Sequence, residues 1–97
     1  MATYIALINW TDQGIKNFKD SPKRADAFGE MIGKAGGSMK SLWWTIGPYD
    51  IVAVVEAPDE EAITAALLQV GAMGNVRSTT LRAFDKSEFA SIIEKAG

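Results

Sequence analysis

The chain has 97 residues, of which 23% are charged, and its formal net charge is −2 at pH 7. This length suffices for one domain with a modest core, so we expect residues 1–97 to form a single domain. The slightly acidic balance and the scattered basic residues argue against nucleic-acid binding, which depends on neutralising phosphates.

Two residue types that often carry chemistry are absent, because the chain has neither cysteine nor histidine. Without cysteine it has no disulfide, thiolate metal site or cysteine nucleophile. Without histidine it lacks the usual general base near neutral pH and the commonest transition-metal ligand. We therefore predict no metal and no cofactor. No signal-peptide pattern and no bilayer-spanning segment is visible, so the expected compartment is the cytoplasm, without a membrane partner.

The N-terminal third of the chain predicts a strand followed by helical segments. Residues 4–10 are nearly apolar on both sides and predict a strand, and residues 13–19 predict a short helical segment. Ser21 followed by Pro22 is typical of a helix start, with the serine hydroxyl as the N-cap. Gly36 and the glycine after it end that helix.

The middle of the chain predicts a β-hairpin. Residues 38–46 form its first strand, residues 47–50 its turn, and the second strand begins at Ile51. The run from Ile51 to Val55 is apolar at every position, and such a strand must be buried on both faces. Trp43 and Trp44 are adjacent and point to opposite faces. We expect one in the core and the other in a pocket or, preferably, an interface.

The C-terminal part predicts a helix, a strand and a last helix. The acidic residues 59–61 favour a helix start, because carboxylates suit the positive end of the helix dipole. Residues 75–84 predict the fourth strand, and Asp85 or Ser87 is expected to cap the terminal helix. The helix before that strand carries its apolar face on Ile63, Ala66, Leu67 and Val70, and the terminal helix carries Phe89, Ile92 and Ile93.

This order, β-α-β-β-α-β with a terminal helix, predicts an α+β fold of the ferredoxin-like type, with two helices on one face of a four-stranded antiparallel sheet. The first and third strands are central in that topology, and both are apolar on both sides. Exposing large side chains on the uncovered face costs roughly 1.5–3 kcal/mol each. We therefore predict a face-to-face homodimer, as in dimeric α+β barrels. Higher oligomers through the edge strands stay open.

Four segments in order, residues 8–15, 44–50, 55–59 and 74–84, resemble the GYD-domain family. The family's Gly-x-Tyr-Asp motif corresponds to Gly47, Pro48, Tyr49 and Asp50. The resemblance implies a ferredoxin-like protein of bacterial origin, related to dimeric α+β barrels, and it implies no particular activity. The same turn also resembles a Gly-x-Tyr-Asp feature in the effector-binding domains of Lrp/AsnC regulators, over the hairpin alone.

Asp50 is the first candidate site residue, and it has two interpretations. Placed at the mouth of a barrel and desolvated by Tyr49 and Trp44, it could act as a general base or a ligand anchor. Alternatively, its carboxylate accepts hydrogen bonds from turn amides, or pairs with an arginine, and fixes the hairpin, which we favour. The Tyr49 hydroxyl either meets a ligand, or its ring covers the barrel end.

Asn9, Trp10 and Arg82 form the second candidate group. Asn9 interrupts an apolar central strand, and Arg82 lies in the neighbouring fourth strand. A buried amide and a buried guanidinium need partners. They either satisfy each other across the dimer or bind a polar or anionic ligand. Some cofactor-free monooxygenases of the dimeric α+β barrel superfamily use these three residue types, which is a resemblance of type only.

Three functions remain open at this point. We predict a homo-oligomer that binds a small organic molecule inside the barrel. The alternatives are a cofactor-independent oxygenase or isomerase, with unidentified catalytic residues, and a non-catalytic assembly or regulatory subunit. The candidates for ligand binding are Asn9, Trp10, Trp44, Tyr49, Asp50 and Arg82.

Overall fold

The computed structural model covers Met1–Gly97 and confirms the predicted fold class. The elements are β1 (Ala2–Trp10), α1 (Asp12–Lys16), α2 (Ser21–Lys34), β2 (Ser38–Trp44), β3 (Ile51–Ala57), α3 (Glu60–Ala72), β4 (Val76–Ala83) and α4 (Lys86–Ala96), with one 3-10 turn at Phe18–Asp20. The strands form one antiparallel sheet in the order β2-β3-β1-β4. The two strands that are apolar on both sides, β1 and β3, are therefore central, as predicted.

Three helices begin at a residue whose side chain accepts a hydrogen bond from the first turn. Thr11 caps α1, Asp59 caps α3, and Asp85 caps α4. These side chains satisfy amides that have no partner within the helix.

The start of α2 differs from the prediction. Ser21 is the first residue of the helix instead of its cap, and Asp20 before it makes no side-chain cap hydrogen bond. The reason is a tertiary contact, since the buried Ser21 hydroxyl accepts a hydrogen bond from Trp44 Nε1 of β2 at 2.9 Å.

The core lies between one face of the sheet and the helices α2 and α3. Every second residue of β3 is buried against these helices, and the same alternation holds in the middle of β1, at Tyr4, Ala6 and Ile8. The core residues are Tyr4, Ala6, Ile8, Phe28, Ile32, Ile51, Ala53, Val55, Ala57, Ile63, Ala66 and Val76.

The other surface of the sheet is turned away from α2 and α3, and we call it the open face. Its residues, in register across the four strands, are Thr3, Ile5, Leu7, Asn9, Ser38, Ser41, Trp43, Val52, Val54, Glu56, Arg77, Thr79, Leu81 and Ala83. The middle of this face is apolar, because Ile5 pairs with Val54 and Leu7 pairs with Val52. Polar residues lie at both ends of it.

The adjacent tryptophans point to opposite faces, as predicted, but neither lies in the core. Trp43 is on the open face with 56% of its surface exposed, and Trp44 is on the helix side with 46% exposed. The expectation of one core tryptophan was wrong because β2 is an edge strand, so its side chains are covered from one side only.

The last helix, α4, makes only sparse contact with the rest of the chain. The molecule is elongated, with extents of 50 × 30 × 18 Å. Its Cα radius of gyration is 14.4 Å, against about 12.5 Å for a compact chain of this length. A helix that projects from the body of the domain accounts for this difference.

Candidate functional site

The six candidate residues lie at two opposite ends of the sheet. The first end is where β1 stops and β3 starts, and Arg82 lies at the other, opposite Tyr4 near the start of β1. The residues at the first end are Asn9, Trp10, Trp44, Tyr49 and Asp50.

Asp50 is held by three hydrogen bonds. Its carboxylate Oδ2 accepts from the Trp10 backbone N–H at 2.9 Å. Its own N–H donates to the Ile8 carbonyl at 2.9 Å, and its carbonyl accepts from the Thr45 N–H at 2.8 Å. The carboxylate thus extends the pairing of β1 and β3 past the last strand residue. This geometry supports the interpretation of Asp50 as the residue that fixes the hairpin.

Trp44 and Tyr49 also take part in holding the hairpin. The Trp44 indole N–H donates to the Ser21 hydroxyl, which joins β2 to the start of α2. The Tyr49 backbone carbonyl accepts from the Thr45 hydroxyl at 2.6 Å and closes the turn. Gly47 in this turn has a φ of 121°, a conformation that favours glycine.

Asn9 and Trp10 point to opposite faces of the sheet. Asn9 is half-buried on the open face, directly opposite Arg77 of β4. Trp10 lies on the helix side opposite Val76, and its indole N–H is buried without a hydrogen-bond partner. The two side chains therefore do not contribute to one site within a chain.

Within one chain, Asn9, Trp10 and Arg82 do not come together. Arg82 pairs with Tyr4, which is five residues from Asn9 along β1, a separation of about 17 Å in a strand. Arg82 also lies on the helix side, whereas Asn9 is on the open face. The prediction placed Arg82 in the correct neighbouring strand, but the register of that strand cannot be read from the sequence of β4 alone.

Arg82 instead lies among aromatic rings and carboxylates. Its guanidinium carbon is 4.4 Å from the centroid of the Phe84 ring and 5.7 Å from that of Tyr4. Its Nη2 is 3.5 Å from a carboxylate oxygen of Glu88, and its Nε is 4.0 Å from one of Glu60. These contacts link the end of β4 to the first turns of α3 and α4.

Tyr4 is the titratable group whose environment is most unusual. Its hydroxyl is buried and has no hydrogen-bond partner. Burial raises the pKa of the Tyr4 phenol above its ordinary value of 10.0. The nearby Glu60 carboxylate raises this pKa further, because it favours the protonated phenol as an acceptor, although outside ideal hydrogen-bond geometry, and because its negative charge disfavours the phenolate. The positive charge of Arg82 opposes the rise.

Arg77 is a polar residue of the open face that the candidate set missed. It lies beside Asn9 in the β1–β4 register and is exposed. The sequence could have identified Arg77 as a residue of the open face, because side chains alternate along β4 and Arg77 shares its face with Thr79 and Leu81.

A partly open apolar pocket lies on the helix side and not at any predicted site. It has a volume of about 80 Å³ and is lined mainly by apolar side chains, including Phe28, Met31 and Leu42. None of the six candidate residues lines it. It is small for an organic ligand, whose pockets typically measure about 300–1,000 Å³. A wider, open groove of about 490 Å³ runs between α3 and β4.

Two further features describe the surface of the chain. No group of three or more aspartate or glutamate side chains is arranged to hold a metal ion. None of the helices has the length and apolar character needed to cross a bilayer.

Comparison with known proteins gives a family match over most of the chain. The model of the GYD domain family matches residues 4–93. A Thermus thermophilus protein named "glutamine synthetase and cystathionine beta-lyase binding protein" is 32% identical over 84 residues, which cover 86% of this chain and 88% of the relative. The solved structure of TTHA0845, also from Thermus thermophilus, has a TM-score of 0.56 at 29% identity, covering 88% of this chain and 95% of that one.

The fold is also shared with regulatory proteins. The feast or famine regulatory protein of M. tuberculosis, solved with L-methionine, has a TM-score of 0.67 at 17% identity. The similarity covers 89% of this chain and 52% of that chain. At this identity the similarity shows the fold alone, but it extends well beyond the hairpin to which the sequence resemblance was limited.

Proposed function

The chain belongs to the GYD domain family, and on that premise we propose that it is a non-catalytic binding protein that acts as a homo-oligomer. The oligomer forms by packing of the open faces of two copies. The observation that carries this proposal is the composition of that face, which has an apolar centre and a polar border.

The open face has the anatomy of a protein interface. Trp43 and Leu81 are 56% and 46% exposed at its two sides, and the central strands add half-buried valine, leucine and isoleucine side chains. Interfaces typically combine such an apolar centre, rich in aromatic residues, with a polar rim. Stacked sheets pack about 10 Å apart, so two open faces can bury each other's side chains.

As a homo-oligomer, the protein recognises metabolic enzymes. The support is the Thermus relative, which is named as a binding protein of glutamine synthetase and cystathionine beta-lyase. The geometry is in keeping with binding instead of catalysis, since Asp50 and Trp44 use their polar groups to hold the hairpin and α2. This proposal favours the assembly or regulatory subunit over the oxygenase or isomerase.

The oligomer is tested by sedimentation velocity with two matched leucine variants. Leu81→Asp places a charge in the open face, and Leu68→Asp places one on exposed α3, where 69% of the leucine is accessible. We expect wild type and Leu68→Asp to sediment as oligomers at micromolar concentration and Leu81→Asp to sediment as a monomer. A wild-type monomer at that concentration contradicts the proposal.

Enzyme recognition is tested with purified components. The protein is immobilised, and glutamine synthetase and cystathionine beta-lyase from its own host are passed over it in a biolayer interferometry experiment. We expect saturable binding of at least one enzyme. Absence of binding to both enzymes, by a protein that is still oligomeric, contradicts this part of the proposal.

A second candidate function is the binding of a small organic molecule between two open faces. Asn9 and Arg77 lie side by side at one end of the apolar area, and an amide next to a guanidinium suits a polar or anionic group. Native mass spectrometry of protein purified gently from its host tests this function. An added mass that is lost in Arg77→Ala and kept in Lys34→Ala, which removes an exposed charge of α2, supports it. An unchanged mass in Arg77→Ala contradicts the role of Arg77.

A further inference from the structure

The terminal helix α4 presents an apolar stripe that the rest of the chain leaves largely uncovered. Phe89, Ile92 and Ile93 follow the helical spacing and are 53%, 36% and 57% exposed. The helix has 11 residues, none of which is buried.

The direction of α4 is nevertheless fixed at its first turn. Asp85 and Glu88 form a capping box, in which each side chain accepts a hydrogen bond from the other residue's backbone N–H. The second carboxylate oxygen of Glu88 lies 3.5 Å from Arg82 Nη2, and Arg82 packs against the Phe84 ring. Polar and aromatic contacts at one end thus hold the helix away from the body of its own chain.

A helix of this kind requires cover from outside the chain. Isolated helices shorter than about 12–15 residues are marginal in water, and most helical stability comes from packing of an apolar face. The cover for α4 must therefore be present whenever the protein is folded. A second copy of the chain meets this condition at all times, while an enzyme partner meets it only when bound.

The area of the open face also favours a second copy of the chain as the partner that covers α4. Four strands of about seven residues, spaced about 4.8 Å apart, present roughly 440 Å². A standard stable interface buries about 800 Å² per partner. The α4 stripe, about 16 Å long and 10 Å wide, adds roughly 160 Å² on each copy. Packing of α4 on the second copy therefore brings the area buried on each copy closer to that of a stable interface.

We propose that α4 is an arm that packs on a second copy of the chain, with Arg82 as the residue that positions it. This inference rests on the homo-oligomer of the proposed function. It gives Arg82 a role in assembly in place of the ligand contact that the sequence suggested.

The test compares two aspartate variants of α4 by sedimentation equilibrium. Ile92→Asp places a charge in the stripe, and Ser91→Asp places the same charge on the opposite side of the helix. We expect Ile92→Asp to weaken self-association at least about 100-fold, since two buried isoleucines are lost per dimer. Ser91→Asp is expected to change it less than about threefold.

Hydrogen exchange of the α4 amides tests whether α4 packs on the second copy, independently of the packing of the open faces. We expect residues 86–96 to be protected in wild type and to lose protection in monomeric Leu81→Asp. Protection that survives in the monomer overturns the arm, because the helix is then covered by its own chain. Intact self-association of Ile92→Asp, with enzyme binding lost, also overturns it and assigns the stripe to the enzyme.

The two proposals fail in different ways. If Ile92→Asp dissociates the oligomer and Leu81→Asp does not, the open-face interface fails and the arm stands. If Leu81→Asp dissociates the oligomer and Ile92→Asp does not, the proposed packing of α4 is contradicted and the open-face interface is supported. A wild-type monomer overturns both.

The positioning role of Arg82 is tested by a double-mutant cycle. If Arg82 acts through α4, Arg82→Gln weakens self-association in wild type but has little further effect in Ile92→Asp. An arginine that only stabilises the fold weakens both backgrounds equally, which would falsify the positioning role. The free energy of unfolding is measured in parallel.

Discussion

At the scale of single residues, the carboxylate of Asp50 replaces a backbone acceptor. The Trp10 N–H lies at the end of β1, where the neighbouring chain has already turned away from the sheet, and Asp50 Oδ2 supplies the acceptor at 2.9 Å. A buried N–H without such a partner is costly. This explains why an aspartate just before β3 stabilises the fold.

Asp50→Ala is expected to lower the free energy of unfolding by about 1.5–3 kcal/mol, because it removes a hydrogen bond to a charged group and leaves the part-buried Trp10 N–H unpaired. Urea denaturation measures the change. Asp26→Ala on exposed α2 is the matched control and should stay within about 0.5 kcal/mol of wild type. Equal stability of the two variants contradicts the structural role of Asp50.

Tyr4 gives a prediction with a defined pH range. Because burial raises the Tyr4 pKa in the folded state, the unfolded chain loses its phenolic proton first, at about pH 10. The stabilising contribution is therefore complete below about pH 10 and is lost as the pH rises through the folded pKa. Tyr4→Phe should remove this alkaline loss and, by deleting an unpartnered hydroxyl, keep or raise stability at pH 7.

Urea denaturation between neutral pH and the alkaline range measures the effect of Tyr4→Phe against wild type. Tyr49→Phe is the control, and it should keep the alkaline loss because the Tyr4 phenol is still present. An identical pH profile for wild type and Tyr4→Phe would show that Tyr4 does not cause the loss.

At the scale of elements, α1 packs directly on the start of β4. A Cβ at Gly14 would lie 1.9 Å from the Asn75 carbonyl oxygen, and the same oxygen accepts a hydrogen bond from the Thr11 N–H at 3.0 Å. The helix can approach the strand this closely only with glycine at position 14. By contrast, nothing lies within 4 Å of a Cβ at Gly33 of α2.

Two glycine variants should therefore change stability in opposite directions. We expect Gly14→Ala to destabilise the protein by at least about 2 kcal/mol, because backbone must move. Gly33→Ala should stabilise it by about 0.5–1 kcal/mol through helix propensity. Thermal unfolding of both variants decides the matter, and a neutral Gly14→Ala is the result that contradicts the close contact.

The elements were predictable from the sequence because their signals are local. The unbroken apolar run at Ile51 identifies a central strand, and Asp59 and Asp85 identify helix starts. The features that the prediction missed depend on contacts between distant segments. The Ser21 hydroxyl accepts a hydrogen bond from Trp44 of β2, and the position of Arg82 opposite Tyr4 depends on the register between β4 and β1.

At the scale of the whole molecule, the open face predicts how self-association responds to salt. Its centre is apolar, and the charged residues at its ends are few, with Glu56 at one end and Arg77 at the other. Apolar burial is insensitive to screening, whereas exposed ion pairs weaken as salt is added.

We therefore expect the dissociation constant of the oligomer to change less than about threefold between 0.05 and 0.5 M NaCl. Sedimentation equilibrium at both salt concentrations measures it. A weakening of more than about tenfold would show that ionic contacts, and not the apolar centre, dominate the interface.

The position of β1 in the sheet has a consequence for synthesis on the ribosome. Strand β1 pairs with β3 on one edge and with β4 on the other, and it is made before both of them. Its second edge therefore stays unpaired until β4, which ends at Ala83, has left the exit tunnel. Unpaired strand edges promote aggregation of nascent chains. The free edge of β1 is therefore exposed while the residues between β1 and β4 are being made, and the sheet closes only when β4 has emerged.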